Sequence, residues 1–177
     1  MANVLRGMAA GMLAGLAASW VMNQFQQMHP QPGPEDQGED GGGHDEPQER
    51  KENHAGSGLD EDATVQAAQA IAQRVIHRNL TDREKRIAGP TLHYAYGSLV
   101  GAMYGGLAEL LPIVSAGVGL PFGFTLWLLG DEVAVPSLGL AKGPTEYPPE
   151  AHADALAAHF MYGVTTDILR RVLRHVV

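Results

Sequence analysis

Two histidines and four carboxylates stand out because each lies in, or at the edge of, a run that otherwise carries no charge. His93 sits in the run Ile87 to Ala108, which Glu109 closes. His159 sits in the run Ala155 to Thr166, which Asp167 closes, and Asp131-Glu132 interrupt a third apolar stretch between Leu110 and Pro136. Imidazole titrates near neutral pH, so such groups can take up, release or relay a proton. An ionisable group inside a membrane span costs roughly 2.5–3.5 kcal/mol at the helix centre on insertion scales, and it tends to face protein or water and to be functional. Each also has an ordinary reading. His93 and His159 can bond a neighbouring backbone carbonyl, and Glu109 can stand solvated at a helix end.

The spacing of these residues follows small side chains. Gly89, His93, Gly97, Gly101, Gly105 and Glu109 recur at every fourth position, as do Ala151, Ala155, His159, Gly163 and Asp167. A ridge of small residues lets a second helix approach closely in lipid, where no hydrophobic force drives helices together. Each row therefore aims an imidazole and a carboxylate at a neighbouring helix. Gly7, Gly11 and Gly15, flanked by Ala10, Ala14 and Ala18, form a third ridge of this kind. Helix packing is thus assigned to Gly7, Gly11, Gly15, Gly97, Gly101, Gly105 and Gly163, within one chain or between chains.

The elements that must hold these residues are apolar helices. Gly7 to Met28 is 22 residues without a charge, about 33 Å of helix, enough to cross a bilayer. A secretory signal is the rival reading, but its apolar region should be roughly 7–15 residues long. Here the run continues through Trp20, Val21 and Met22. Together the runs predict an all-α, four-helix transmembrane bundle with spans near 4–27, 87–111, 113–135 and 151–173. A tight turn at Pro112–Gly117 separates the second span from the third. Residues 64–80 have helical spacing, with Val65, Ala68, Ile71, Val75 and Ile76 on one face, and predict an amphipathic helix on the membrane surface. A soluble packing helix is the alternative there. Thr81 and Glu84 have capping-box spacing and restart a helix into the second span. The chain thus divides into a first span, 1–28; an acidic loop, 29–63; a surface helix, 64–86; and a three-span region, 87–177.

Charge narrows the partners. The net charge of −8 and the mean hydropathy of −0.11 are set by residues 29–63, with eleven acids and two bases. The other 142 residues carry +1. The acidic loop has too little apolar surface to offset the entropy of ordering and is expected to be disordered. No basic face exists to neutralise phosphates, so nucleic acid is excluded as a partner. The bilayer, a second copy or another membrane protein remain. Cysteine is absent, which removes disulfides, thiolate metal sites and a thiol nucleophile. No nucleophile–base pair or phosphate-binding motif is visible, so an enzyme is the least favoured class. His29, His44 and His54 are too irregularly spaced for a metal site, and nothing demands a cofactor.

The segments IAGPTLHYAYGSLVGAMYGGLAELLP, WLLGDEVAVPSLGLAKGPTEYP and HADALAAHFMYGVTTDILRR resemble the YagU family of small bacterial inner-membrane proteins. That resemblance covers about 135 of the 177 residues and leaves out 29–63. It implies a multi-pass inner-membrane protein of unknown molecular activity, a link to acid tolerance and cytoplasmic termini. A count of bases points the other way, since Arg74, Arg78, Arg83, Lys85, Arg86 and Lys142 outnumber Arg6, Arg170, Arg171 and Arg174. The termini are placed in the cytoplasm because Arg170-Arg171 abut a span end. Two functions follow as expectations. One is a proton- or cation-responsive membrane protein using His93, Glu109, Asp131, Glu132, His159 and Asp167. The other is an assembly subunit that binds partner spans through its glycine ridges.

Overall fold

A computed structural model describes residues 2–29 and 63–176. The acidic stretch expected to be disordered falls almost wholly on 30–62, outside the described residues. Every regular element among the described residues is helical: α1 (Ala2–Met28), α2 (Ala63–Val75), α3 (Asp82–Leu110), α4 (Leu120–Leu126), α5 (Val135–Ser137) and α6 (Pro149–Leu173). A π-helical segment, Trp127–Ala134, joins α4 to α5 in one continuous helical run. The described residues form two compact units, 2–29 with 93–176, and 63–92.

In the smaller unit, α2 ends at Val75 and not at residue 80. A turn follows, with His77 at φ 53°. Side chains fix this corner. Arg78 donates to both carboxylate oxygens of Glu84, at 2.8 and 2.6 Å, and Gln69 and Gln73 both donate to Asn79 Oδ1. The Thr81 amide donates to Glu84, and the Glu84 amide to Thr81 Oγ1, so the capping box closes in both directions. Of the expected stripe only Val65 is buried, together with Ala72; Ile71, Val75 and Ile76 are exposed. The reason is close approach: a methyl added at Gly89 would lie 2.5 Å from Val65.

The larger unit is built on small-residue contacts. Methyls added at Gly11 or Gly101 would each overlap the other's carbonyl oxygen, and Gly7 meets Gly105 in the same way. Gly15 approaches Gly97, whose missing side chain is filled by the Ser19 hydroxyl. One ridge of α1 thus lies on α3. The adjoining Ala10, Ala14 and Ala18 are fully buried, and Ala18 and Met22 pack on Ala158 and Tyr162 of α6. A second set of contacts joins α4 to α6. Gly119, at φ 80°, lies against the Gly163 carbonyl, and Gly123 against that of His159. Gly119 is required twice over, by its left-handed backbone and by the carbonyl it touches. The third helical run therefore starts at Leu120. The expected start at 113 is replaced by a 3-10 turn, Pro112–Ser115, and a loop through Gly117–Gly119.

Large apolar side chains point outward. Leu5, Leu16, Trp20, Leu99, Met103, Phe124, Leu129, Ile168 and Val172 are all exposed, while the buried set is mainly Ala, Gly, Ser and Tyr, with Asp167 and Arg170. Among the described residues, Asn3–Met28 is the one helix long and apolar enough by length and composition to cross a membrane. The expected four-helix transmembrane bundle is thus seen as an all-helical fold with one such helix among the described residues.

Candidate functional site

Helix α6 carries ionisable side chains toward both of its ends. In its N-terminal half they meet the π-helical segment. Glu132 Oε1 lies 2.6 Å from His152 Nδ1, and Asp131 Oδ2 lies 3.6 Å from His159 Nδ1. His93 and Tyr96 of α3 lie near enough to Asp131 to interact with it electrostatically. Side chains on a helix lean toward its N-terminus, so His159 reaches back toward His152 and away from the Gly123 contact at its own backbone. Asp131 and Glu132 are adjacent in sequence, yet both engage α6. The wider turn of a π-helix, a feature frequent at functional sites, accompanies this double presentation.

Proton positions follow from which atoms can only accept. His152 Nε2 lies 2.9 Å from the Pro144 carbonyl oxygen, so Nε2 carries a hydrogen. The 2.6 Å contact on its other nitrogen then requires one more proton. It sits on Nδ1 against a carboxylate, or on the carboxyl against a neutral ring. Either way the His152–Glu132 pair holds one exchangeable proton between its two side chains. His159 Nδ1 donates to the Ala155 carbonyl at 2.9 Å, and the same nitrogen lies 3.6 Å from Asp131 Oδ2. The pairs are only partly exposed: 25% and 15% for His152 and Glu132, 13% and 41% for His159 and Asp131. Among the described residues no three His, Asp or Glu side chains converge closely enough to hold a metal ion.

The C-terminal half of α6 carries a different cluster. Asp167 is fully buried. It accepts from Tyr104 at 3.0 Å, Arg170 at 3.2 Å and Arg171 at 2.9 Å. Glu109 is joined to Arg170 at 3.4 Å and Arg174 at 3.0 Å. Arg171 also donates to the Ser115 carbonyl, and the Arg170 guanidinium lies 5.7 Å from the centre of the Tyr104 ring. Two carboxylates thus face three arginines, tying α3, α6 and the 3-10 turn together.

The six ionisable residues singled out in the sequence are therefore split. His93, Asp131, Glu132 and His159 share one cluster, and Glu109 and Asp167 belong to the other, Asp167 lying eight residues, about 12 Å, beyond His159 along α6. Gly7, Gly11 and Gly15 meet Gly105, Gly101 and Gly97, while Gly163 meets Gly119 and Gly123. Sequence reasoning missed His152, Tyr104, Arg170, Gly119 just before α4 and Gly123 within it. His152 is seven residues before His159, two turns along the same side, and Gly119–Gly123 repeats the four-residue spacing used elsewhere.

Residues 65–168 match the family described as "Protein of unknown function (DUF1440)". The chain belongs to that family. The DUF1440 region holds the whole histidine–carboxylate cluster as well as Glu109 and Asp167; it leaves out α1 and the three arginines. No curated protein matches the chain. No solved structure matches it.

Proposed function

We propose that this DUF1440 protein is a four-span bacterial inner-membrane protein that responds to protons through His93, Asp131, Glu132, His152 and His159. The spans are 4–27, 87–111, 120–137 and 151–173. Large side chains outside and glycine, alanine and ions inside are the reverse of a water-soluble bundle and suit lipid. Helices α1, α3 and α6, of 27, 29 and 25 residues, are each about 37–44 Å long, more than the hydrocarbon core.

One observation carries the proton reading: the two adjacent carboxylates of the π-helical segment each meet a histidine of α6. Protonating either pair changes the charge at the contact between the third and fourth helices, and so the affinity of one helix for the other. The resemblance to the YagU family, with its link to acid tolerance, points in the same direction. The assembly reading is less favoured, because the glycine ridges it would use face one another within the chain.

Replacement of His159 tests the proposal. Leucine suits lipid better than histidine, and glutamine keeps polarity but cannot titrate. Both variants should insert normally and lose any protection of cells from acid. Full protection by both would sink the proton reading. Membrane placement has its own test in this cysteine-free chain. Gly101→Cys and Phe160→Cys should resist a water-borne thiol reagent that labels Asp45→Cys, and equal labelling would overturn the four spans.

A further inference from the structure

We infer that the corner formed by α2 and the start of α3 is a docking surface for anionic phospholipid, holding α2 in the membrane interface. The inference rests on the four-span reading and adds a partner to it. Depth is the first argument. Val65 packs on Gly89, two residues into the charge-free run that opens at Ile87. In a spanning α3 that position lies where headgroups give way to acyl chains, so α2 is held at the same level.

Apolar surface is the second argument. Ile71 and Val75 are one turn apart and share a side; they are 52% and 70% exposed, and Ile76 and Ile87 are exposed as well. Val65 and Ala72, not these residues, are buried. An amphipathic helix lying in an interface sinks such a stripe between the headgroups.

Charge selects the lipid. Residues 63–92 carry Arg74, Arg78, Arg83, Lys85 and Arg86 against Asp82 and Glu84, a net +3 in a chain of −8. Arg78 is held by Glu84 and Lys85 lies near Asp82. Arg74, Arg83 and Arg86 are exposed. Basic residues beside a span attract the negative surface of a bilayer that contains acidic lipids. The locked corner presents apolar and basic groups together, without further ordering cost on binding.

The absence of cysteine permits single reporters in the full chain. Ile71→Cys, Val75→Cys, Gln66→Cys on the opposite side of α2, and Met103→Cys on the exposed side of α3 would each carry an environment-sensitive dye. The proteins are placed in nanodiscs of phosphatidylglycerol with phosphatidylcholine, or of phosphatidylcholine alone. In the acidic discs the dyes at 71 and 75 should shift to the blue and be quenched by brominated lipid, while that at 66 stays water-like. High salt, or the triple change Arg74→Gln, Arg83→Gln, Arg86→Gln, should reduce that quenching several-fold. Equal signals at 66, 71 and 75, with the dye at 103 still quenched, would overturn the docking surface and leave the spanning reading intact. So would dyes at 71 and 75 shielded from water but not quenched by lipid, which means a protein cover. Equal quenching in both disc types would overturn the anionic preference. A water-like dye at 103 would overturn the spanning reading and this inference with it.

Discussion

The two charged ends of α6 use the same carboxylate chemistry with opposite partners. At one end Asp167 and Glu109 meet three arginines; at the other Asp131 and Glu132 meet histidines. Guanidinium keeps its proton across the accessible pH range, whereas imidazole exchanges its proton near neutrality. The arginine end therefore carries three fixed positive charges, and the burial of Asp167 and Arg170 makes their pairing obligatory. The histidine end is partly exposed and contains a 2.6 Å contact that must hold a proton. On the proton-responsive reading proposed above, one end is permanent and the other variable. A relay of protons through the whole bundle is disfavoured by the same contrast, since Asp167 is fully buried and already accepts from two guanidiniums and the Tyr104 hydroxyl.

The permanent end should show the largest effect on stability. Asp167→Leu leaves Arg170, which is 4% exposed, with only the longer 3.4 Å contact to Glu109. Breaking a buried pair from one side costs about 3–5 kcal/mol. The variant should be poorly expressed or melt far below the parent in detergent. Parent-like melting would mean that Arg170 finds water, and the contrast between the two ends would lose its basis.

The belt between the ends comes next. Gly101→Leu places a side chain against the Gly11 carbonyl and the Gly15 backbone, which have no rotamer to change. Overpacking of this kind costs typically 1–3 kcal/mol, and here it would separate α1 from α3. Gly89→Leu meets a side-chain methyl of Val65, which can move, so its loss should be smaller. Thermal melts of the two variants in one detergent check the order, and equal melting temperatures would remove the argument from backbone contact.

Much of this arrangement was legible in the sequence, for identifiable reasons. Long charge-free runs and four-residue glycine spacing are periodic signals, and they mark α1, the body of α3, α6 and the ridges between them. The capping pair Thr81–Glu84 was legible because two residues suffice. The start of the third helical run was not, because Ile113, Val114 and Val118 are as apolar in their turn as they would be in a span. Ala72, buried beside Val65 on α2, was missed because alanine carries little hydrophobic signal. His152 was hidden between Glu150 and Asp154, where a solvated helix start is the natural reading. Arg170 reads in sequence as a topology signal; only Tyr104, Glu109 and Asp167 around it show that it is buried. Nothing in the residues 127–134 announces a π-helix, yet that turn brings both carboxylates to α6.

At the variable end, Glu132→Gln should have a modest effect on folding and a specific one on pH response. The amide can still hydrogen-bond to His152 Nδ1 as a donor, so the loss of stability should be about 1 kcal/mol, the usual worth of one hydrogen bond. The proton that the pair shares is no longer required, however. Infrared difference spectra between neutral and acid pH should lose a histidine or carboxyl band that the parent shows. A spectrum identical to the parent's would mean that the pair does not titrate and that His159 with Asp131 carries the response alone.

The smallest effect belongs to a carboxylate outside both clusters, and it calibrates them. Glu84 is exposed, and hydrogen bonds from Arg78 and Thr81 hold its carboxyl well below the usual carboxylate range. A carboxyl whose pKa is lower in the folded state contributes stability that is complete above its unfolded value, near 4.3, and is lost only as pH falls through the lower folded value. The corner should therefore stay closed at mildly acid pH, where the histidine end changes charge. Amide exchange at residues 78–85 should be the same at neutral pH and near pH 5. Glu84→Gln should speed that exchange at both pH values, because glutamine keeps one acceptor for Thr81 and loses the double contact with Arg78, while the melting temperature of the larger unit stays unchanged. Faster exchange in the parent already at pH 5 would assign part of any acid response to this corner rather than to the histidines of α6.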